Sequence, residues 1–439
     1  MNAIKNRSRS PWLWIPTLYI AEGLPYFAVN TLTVLMYVNM GVSLADMAFF
    51  TGWLYLPWVI KPFWSPFIDL FKTKRSWTIA MEGILCATMA GVGFMLPFSF
   101  FFCATLVFFW LMAFASATHD IAADGYYMIE LSDHDQAAYV GVRSTFYRIA
   151  SIIGQGGLVM LAGVLEERMG NVANAWRVVF LILSAFFLII TLYHSFFMPK
   201  AAADHPVPGV TARTIVKDFA MTFVTFFNKP GIVAALCFML LYRLPEALCI
   251  KLVQPFLVSP IAEGGLGLST KEVGFVNGTV GVIALLAGGI LGGLAIAKGG
   301  LKRWLWPMAL SLTLPCGVYC FLSMAQPENF YLICSAIGFE QFGYGFGFTA
   351  FMLYLIYFSQ GKQKTSHYAF CTAFMALGMM LPGMAAGWLH ERLADINIFG
   401  LNGPQGYINF FWAVMICCFA TFAVCLKVKI DPSFGKKRA

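Results

Sequence analysis

Among the ionisable side chains inside long apolar runs of this sequence, the candidates for chemistry are Glu22, Lys61, Asp120, Asp124, Arg143, Arg148, Arg243, Glu246, Lys251 and Glu340. Each costs about 2.5–3.5 kcal/mol to insert on translocon scales, so the positions that keep one are where chemistry is to be sought. Asp120 and Asp124 lie one helical turn apart and share a face. Two such carboxylates in a partly dry site repel when both are ionised, so the pair can hold one proton between them. Arg143 and Arg148 open the next apolar run and can compete with that proton, or simply form an ion-pair cluster with the two acids. Arginine forks bind carboxylates bidentately. Tyr26, Tyr126, Tyr147 and Tyr242 offer ring faces and hydroxyls suited to sugar, or serve as packing.

Glu22, Arg243 and Glu246 fall near mid-depth of two apolar runs. Each lies beside a helix interruption, Gly23-Leu24-Pro25 in one run and Pro245 in the other, and broken helices expose backbone groups to ligand. A salt bridge that only holds the protein together is the other reading. Glu340 is equally deep, next to Gln341 and to Gly343, Gly345 and Gly347, which lack the strand context of a phosphate loop and read as helix packing. No cluster has metal-ligand spacing, and the eleven cysteines lie mostly within apolar runs as structural thiols. With no nucleophile–base set and no metal ligands, the residues do not describe an enzyme, and no cofactor is expected.

The elements that must position these groups follow from composition. Of 439 residues, 59% are hydrophobic and 11% charged, whereas a soluble domain carries about 25% charged residues. Apolar runs at about 11–39, 44–70, 76–97, 100–131, 136–165, 174–198, 230–259, 269–297, 303–325, 328–358, 364–393 and 406–428 are each long enough to cross a bilayer, for which about 20 residues are needed. They are too long and too uniformly apolar for barrel strands, so an all-α membrane protein of about twelve spans is expected. The leader with Lys5, Arg7 and Arg9 precedes a run too long for a secretory signal, and no small-residue cleavage site follows.

Cations set the expected orientation. Lys72, Lys74, Arg75, Lys200, Arg213, Lys217, Lys298, Lys302, Arg303, Lys427 and Lys429 fall on one side, against Arg168, Arg177, Lys271 and Arg392 on the other. The positive-inside rule then puts both termini in the cytoplasm. It also accounts for the net charge of +8 without a nucleic-acid partner.

The longest polar connection, 199–229, joins a first six-helix bundle (1–198) to a second (230–439), and 211–228 reads as an amphipathic helix on the inner membrane surface. An internal repeat supports this division. Gly41, Ser43, Asp46, Phe49 and Gly52 recur as Gly267, Ser269, Glu272, Phe275 and Gly278, an offset of 226 positions; Gly154, Gly163, Leu165, Glu167 and Arg168 recur as Gly378, Gly387, Leu389, Glu391 and Arg392, an offset of 224. Two ordered blocks at nearly one offset imply two parallel, pseudo-symmetric halves, the plan by which major facilitators place a substrate site between bundles. Ser65, Pro66, Asp69, Lys72, Lys74 and Arg75 resemble the cytoplasmic hinge loop of those transporters, which makes Asp69, Lys72 and Arg75, with Arg143, candidates for gating.

Gly23-Leu24-Pro25, Lys61-Pro62-Phe63-Trp64-Ser65-Pro66 with Asp69, His119-Asp120-Ile121-Ala122-Ala123-Asp124, and Gly141-Val142-Arg143 through Tyr147-Arg148 resemble the AmpG muropeptide permeases. So do Tyr242-Arg243-Leu244-Pro245-Glu246 and Glu272-Val273-Gly274-Phe275-Val276-Asn277 in the second half, and the likeness runs over nearly the whole chain. The resemblance implies a secondary active transporter of the inner membrane, importing anhydro-muropeptides with protons for peptidoglycan recycling. It matches Asp120 and Asp124 to the family's paired acids, Lys61 to its second-span lysine, Arg148 to its arginine after an aromatic, and Glu246 to its seventh-span acid; Arg243 departs from a more usual lysine. Substrate contacts are thus expected from Glu22, Tyr26, Lys61, Tyr147, Arg148, Arg243, Glu246 and Glu340, and proton coupling from Asp120 and Asp124. Acetyl-coenzyme A transporters are more distant relatives, so an anionic coenzyme A thioester is an alternative solute. A binding or assembly protein that keeps the fold without transport is the alternative class.

Overall fold

A computed structural model gives the chain as an array of helices. The structure describes residues 10–131, 133–200, 204, 212–361, 364–398 and 403–435. In chain order the helices are α1 (Ile15–Phe27), α2 (Thr33–Asn39), α3 (Leu44–Trp53), α4 (Leu56–Leu70), α5 (Lys74–Met95), α6 (Phe101–Glu130), α7 (Asp133–Ser151), α8 (Val159–Met169), α9 (Val172–Phe197) and α10 (Ala212–Phe227). Then follow α11 (Ile232–Leu241), α12 (Leu244–Val258), α13 (Thr270–Phe275), α14 (Val282–Gly299), α15 (Leu301–Thr313), α16 (Gly317–Ala325), α17 (Phe330–Ser359), α18 (Lys364–Ala394) and α19 (Gly406–Lys427). Among the described residues there is no strand, and ten helical stretches are long and apolar enough to cross a membrane. The first two expected spans are helical as well but segmented: a π turn at Ala28–Leu32 separates α1 from α2, and Leu54-Tyr55 separates α3 from α4.

The interruptions differ in kind. Pro25 does not break α1; the helix runs through it to Phe27, and the Ala28 N–H is shared between the carbonyls of Leu24 and Pro25 before the wider turn begins. A proline removes one donor and crowds the preceding turn, here at the Ala21 carbonyl, and α1 continues past it. In the seventh run the break is complete: α11 ends at Leu241 and α12 restarts at Leu244 with Pro245 in its first turn, where the missing N–H has no helical partner to lose.

The chain forms two compact units. The first comprises Met1–Val29, Phe63–Gly154 and Leu165–Lys217. In it α5 packs on both α6 and α9, and α1 packs on α6 and α7. A reciprocal clamp fixes one end of this unit. Asp204 accepts hydrogen bonds from the backbone N–H groups of Lys74 (2.7 Å) and Arg75 (3.0 Å), capping α5 together with the Thr73 hydroxyl. The Arg75 guanidinium in turn donates to the carbonyls of Met198 (3.0 Å) and Ser195 (2.6 Å) at the end of α9.

The second unit comprises Asn30–Pro62, Gln155–Val164 and Asp218–Ala439, so two segments of the first half pack with the second half of the chain. Helix α3 lies along α18, and α14 along α17. Glycines set these approaches: a Cβ on Gly288 would overlap the Phe342 carbonyl, and one on Gly345 the Leu285 carbonyl. The repeat-mate glycines do the same. Gly387 abuts Leu44 and Ala45, Gly163 abuts Lys271, and Gly278 abuts Gly156. Ser43 and Ser269 cap α3 and α13 at matching positions, and Glu391 accepts from the Ala45 N–H at 3.2 Å. The segment expected as a surface helix is helical as α10, and its Phe226 is buried against Phe370 and Phe374 of α18. The eleven cysteines are free thiols.

Candidate functional site

In the first unit the expected acid and arginine come together. Helix α6 presents Asp124, and α7 presents Arg143, whose Nη2 lies 2.7 Å from Asp124 Oδ1. The Tyr19 hydroxyl of α1 donates to the same oxygen at 3.2 Å. The guanidinium also lies over aromatic faces, 4.6 Å from the Tyr19 ring centre and 5.7 Å from that of Tyr127. Asp124 and Arg143 are each about one-third exposed, so a solute can reach the pair.

Also in the first unit, the Tyr147 hydroxyl lies within the fields of Glu22, Asp120, Arg148 and Tyr26. Glu22 acts on Tyr19 and Arg143 too. Glu22 is buried, Asp120 and Tyr26 are half-buried and Arg148 is exposed. Gly23 allows this convergence, because a Cβ there would come within 2.8 Å of the Ala150 Cβ on α7. The result is a face on which acids, arginines and phenolic hydroxyls alternate. Such a face can exchange an internal carboxylate for that of a ligand and can stack a sugar ring.

The gating candidates are placed differently. Arg75 serves the end of α9, Lys72 is exposed in a left-handed turn (φ 60°) between α4 and α5, and the Asp69 side chain lies outside the described residues.

In the second unit, Arg243 sits in the gap between α11 and α12 and grips Glu246 with two bonds, Nε to Oε2 and Nη2 to Oε1, both 2.7 Å. Nη2 also donates to the Tyr344 hydroxyl at 2.9 Å, and the guanidinium lies 4.7 Å from the Phe348 ring centre. Both partners are buried. Glu340, buried on α17, accepts from the Tyr319 hydroxyl (3.0 Å) and the Gln341 amide (2.9 Å). Lys251, also buried, donates to Thr51 Oγ1 at 3.0 Å and lies 5.4 Å from the Tyr55 ring centre. Lys61 is half-buried, and its charge acts on Tyr368.

One group escaped the sequence reading. Glu82 on α5 meets His119 on α6 and His194 on α9, all three without solvent exposure: Glu82 Oε1 is 2.6 Å from His194 Nδ1 and 3.2 Å from His119 Nε2. Their sequence signal is a charged or imidazole side chain inside each of three apolar runs, Glu82 being the one such residue of 76–97. His119, next to Asp120 in sequence, is fully buried, and its ring faces the Glu82 carboxylate.

Comparison with known proteins agrees with this architecture. The profile of the Major Facilitator Superfamily matches residues 17–381. The chain is 27% identical to the anhydromuropeptide permease of Escherichia coli over 383 residues, which cover 85% of this chain and 73% of that protein. It is 23% identical to a putative transporter, AmpG 4, of Rickettsia conorii, over 88% of this chain and 90% of that one. Among solved structures, a D-xylose-proton symporter superposes with a TM-score of 0.71 at 12% identity, covering 97% of this chain and 98% of its own, a likeness of fold alone.

Proposed function

The chain belongs to the Major Facilitator Superfamily, a multi-pass membrane transporter and not an enzyme, and from that premise we propose that it imports anhydro-muropeptides across the inner membrane, driven by protons. The observation that carries this reading is the Asp124–Arg143 pair, about one-third exposed and flanked by the rings of Tyr19 and Tyr127, with Glu22 acting both on Arg143 and on Tyr147. Likeness to the anhydromuropeptide permease supports the choice of solute.

In the proposed cycle, a proton taken up from the periplasmic side by the Asp120 and Asp124 pair weakens the hold of Asp124 on Arg143. The freed guanidinium then takes a carboxylate of the stem peptide, with Arg148 beside it. Loss of the proton toward the cytoplasm returns Arg143 to Asp124 and expels the ligand. One proton moves with the solute and no covalent bond is made. Glu22, Tyr26 and Tyr147 in the first unit, and Lys61, Arg243, Glu246 and Glu340 in the second, complete the proposed substrate contacts; Asp69, Lys72 and Arg75 are proposed to act at the cytoplasmic gate. Both termini are placed in the cytoplasm, and 1–198 and 230–439 are taken as the two six-helix halves.

The deciding experiment is uptake of radiolabelled anhydro-muropeptide into proteoliposomes under an imposed pH gradient, for the native protein and for Asp124→Asn. The native protein should accumulate solute, and the variant should lose pH-driven accumulation while still binding ligand. Wild-type pH dependence in the variant removes Asp124 from the coupling, and rescue of a dead variant by neutralising Arg148 makes the acids a structural cluster. Uptake of an acyl-coenzyme A in place of muropeptide reassigns the solute.

A further inference from the structure

Glu82, His119 and His194 are wholly buried, each on a different helix of the first unit, and a fourth helix, α1, closes the group with Thr17. Glu82 Oε1 faces a ring nitrogen of each histidine, so with Glu82 ionised both contacts take a proton on nitrogen. The 2.6 Å separation from His194 Nδ1 is in the range of charge-assisted bonds. His194 Nε2 lies 2.8 Å from Thr17 Oγ1, and that hydroxyl is also 3.2 Å from the Trp14 carbonyl, to which it can donate.

The hydroxyl has one hydrogen, and this fixes the proton count. When it points to the Trp14 carbonyl, His194 Nε2 must carry a hydrogen to bond Thr17, so His194 is an imidazolium paired with the Glu82 carboxylate, and the group as a whole is neutral. When it points to His194 Nε2, the imidazole carries hydrogen only at Nδ1 and the group holds one unpaired negative charge in a dry interior, which is unfavourable. Among the described residues, His119 and His194 are the charges that act on Glu82. Arg75, on the same helix, donates to backbone carbonyls at the end of α9, 3.4 Å from that of His194, and so does not neutralise the carboxylate directly. Glu82 Oε2 and His119 Nδ1 are buried without a hydrogen-bond partner among the described residues, a further mark of a group not built for packing alone.

We propose that Glu82, His119 and His194 form a proton-binding site inside the first unit: Glu82 stays ionised, His194 carries the bound proton, and the Thr17 hydroxyl turns between His194 Nε2 and the Trp14 carbonyl as that proton departs and arrives. The proton is taken from water and returned to water, and no other atom changes hands. Because no member of the group is exposed, exchange requires α1, α5, α6 or α9 to part. Helix α1 is the natural door, for it contributes Thr17 here and, two residues on, Tyr19 to the Asp124–Arg143 pair. Movement of α1 therefore opens this site and disturbs the solute site together. Only that link to transport rests on the reading above; the proton site itself does not.

The test is nitrogen-15 spectroscopy of the full chain, labelled at its six histidines, in lipid nanodiscs at about pH 8, where a solvent-facing imidazole is neutral. One imidazolium, slow to exchange in deuterated water, is expected in the native protein. Its loss is expected in E82Q and in H194Q, and its retention in H119Q. A native spectrum with six neutral rings overturns the proposal, as does an imidazolium that survives both E82Q and H194Q. If a variant fails to fold, the native spectrum decides by itself. In proteoliposomes, loss of pH-driven accumulation in E82Q supports the link through α1. A buried imidazolium in a protein that accumulates no solute under a pH gradient leaves the site standing and refutes the proton-coupled reading instead.

Discussion

Replacing Arg243 with Gln asks whether its guanidinium is held for the fold or kept ready for a ligand. Both Arg243 and Glu246 are more than nine-tenths buried, and their two 2.7 Å bonds leave the carboxylate satisfied. Removing one member of a buried pair strands the other charge and costs about 3–5 kcal/mol, whereas neutralising both is often nearly neutral. The lost contacts with the Phe348 ring and the Tyr344 hydroxyl add to the first cost. Since folded domains retain only about 5–15 kcal/mol, R243Q should give low yield and a sharply lowered melting temperature in detergent. R243Q/E246Q should recover most of the loss, so that adding the second substitution to R243Q restores about 2–4 kcal/mol. Melting temperature and membrane abundance are measured for the two single variants and the double, alongside ligand binding. If R243Q costs less than about 1 kcal/mol, or the double variant is no more stable than R243Q, the buried-pair account is wrong.

Three other outcomes follow from the same geometry. Gly278→Ala puts a methyl into the Gly156 backbone, so transport should fall steeply while the protein still inserts, and normal transport would show that the two helices do not approach this closely in the working protein. Asp204→Ala removes the carboxylate that receives two N–H groups of α5 and should lower stability by about 1–2 kcal/mol; an unchanged melting curve would remove Asp204 from the cap. Reporter fusions after Lys200 and at Ala439 should both give cytoplasmic signals, and periplasmic activity from either one reverses the assigned orientation.

The helices were legible because in a bilayer hydropathy is nearly a direct record of burial, and the runs 100–131, 174–198 and 406–428 match α6, α9 and α19 to within two residues at each end. Prolines were read less well. Pro25 and Pro245 look alike in sequence, yet one stands inside a continuing helix and the other in the first turn of a new one, because neighbouring backbone decides how a missing N–H is accommodated. Of the candidate site, Asp124 with Arg143 follows from helical spacing and the adjacency of two spans. Glu82 with His194 does not: the two are 112 positions apart, and only the packing of α5 on α9 brings them together. The repeat was visible as residue identities, but its use in holding helices together emerges only from the contacts of Gly163, Gly278 and Gly387.

Those contacts are reciprocal between the repeats. Gly387 rests on Leu44 and Ala45, and Gly163 rests on Lys271; each glycine is the other's repeat mate, and Ala45 and Lys271 are mates as well. A patch that touches its own copy in reverse is the signature of an isologous interface, the kind that joins two identical subunits about a two-fold axis. Any side chain at Gly387 is therefore constrained by Leu44 and Ala45, far away in sequence, more than by its repeat mate at Gly163.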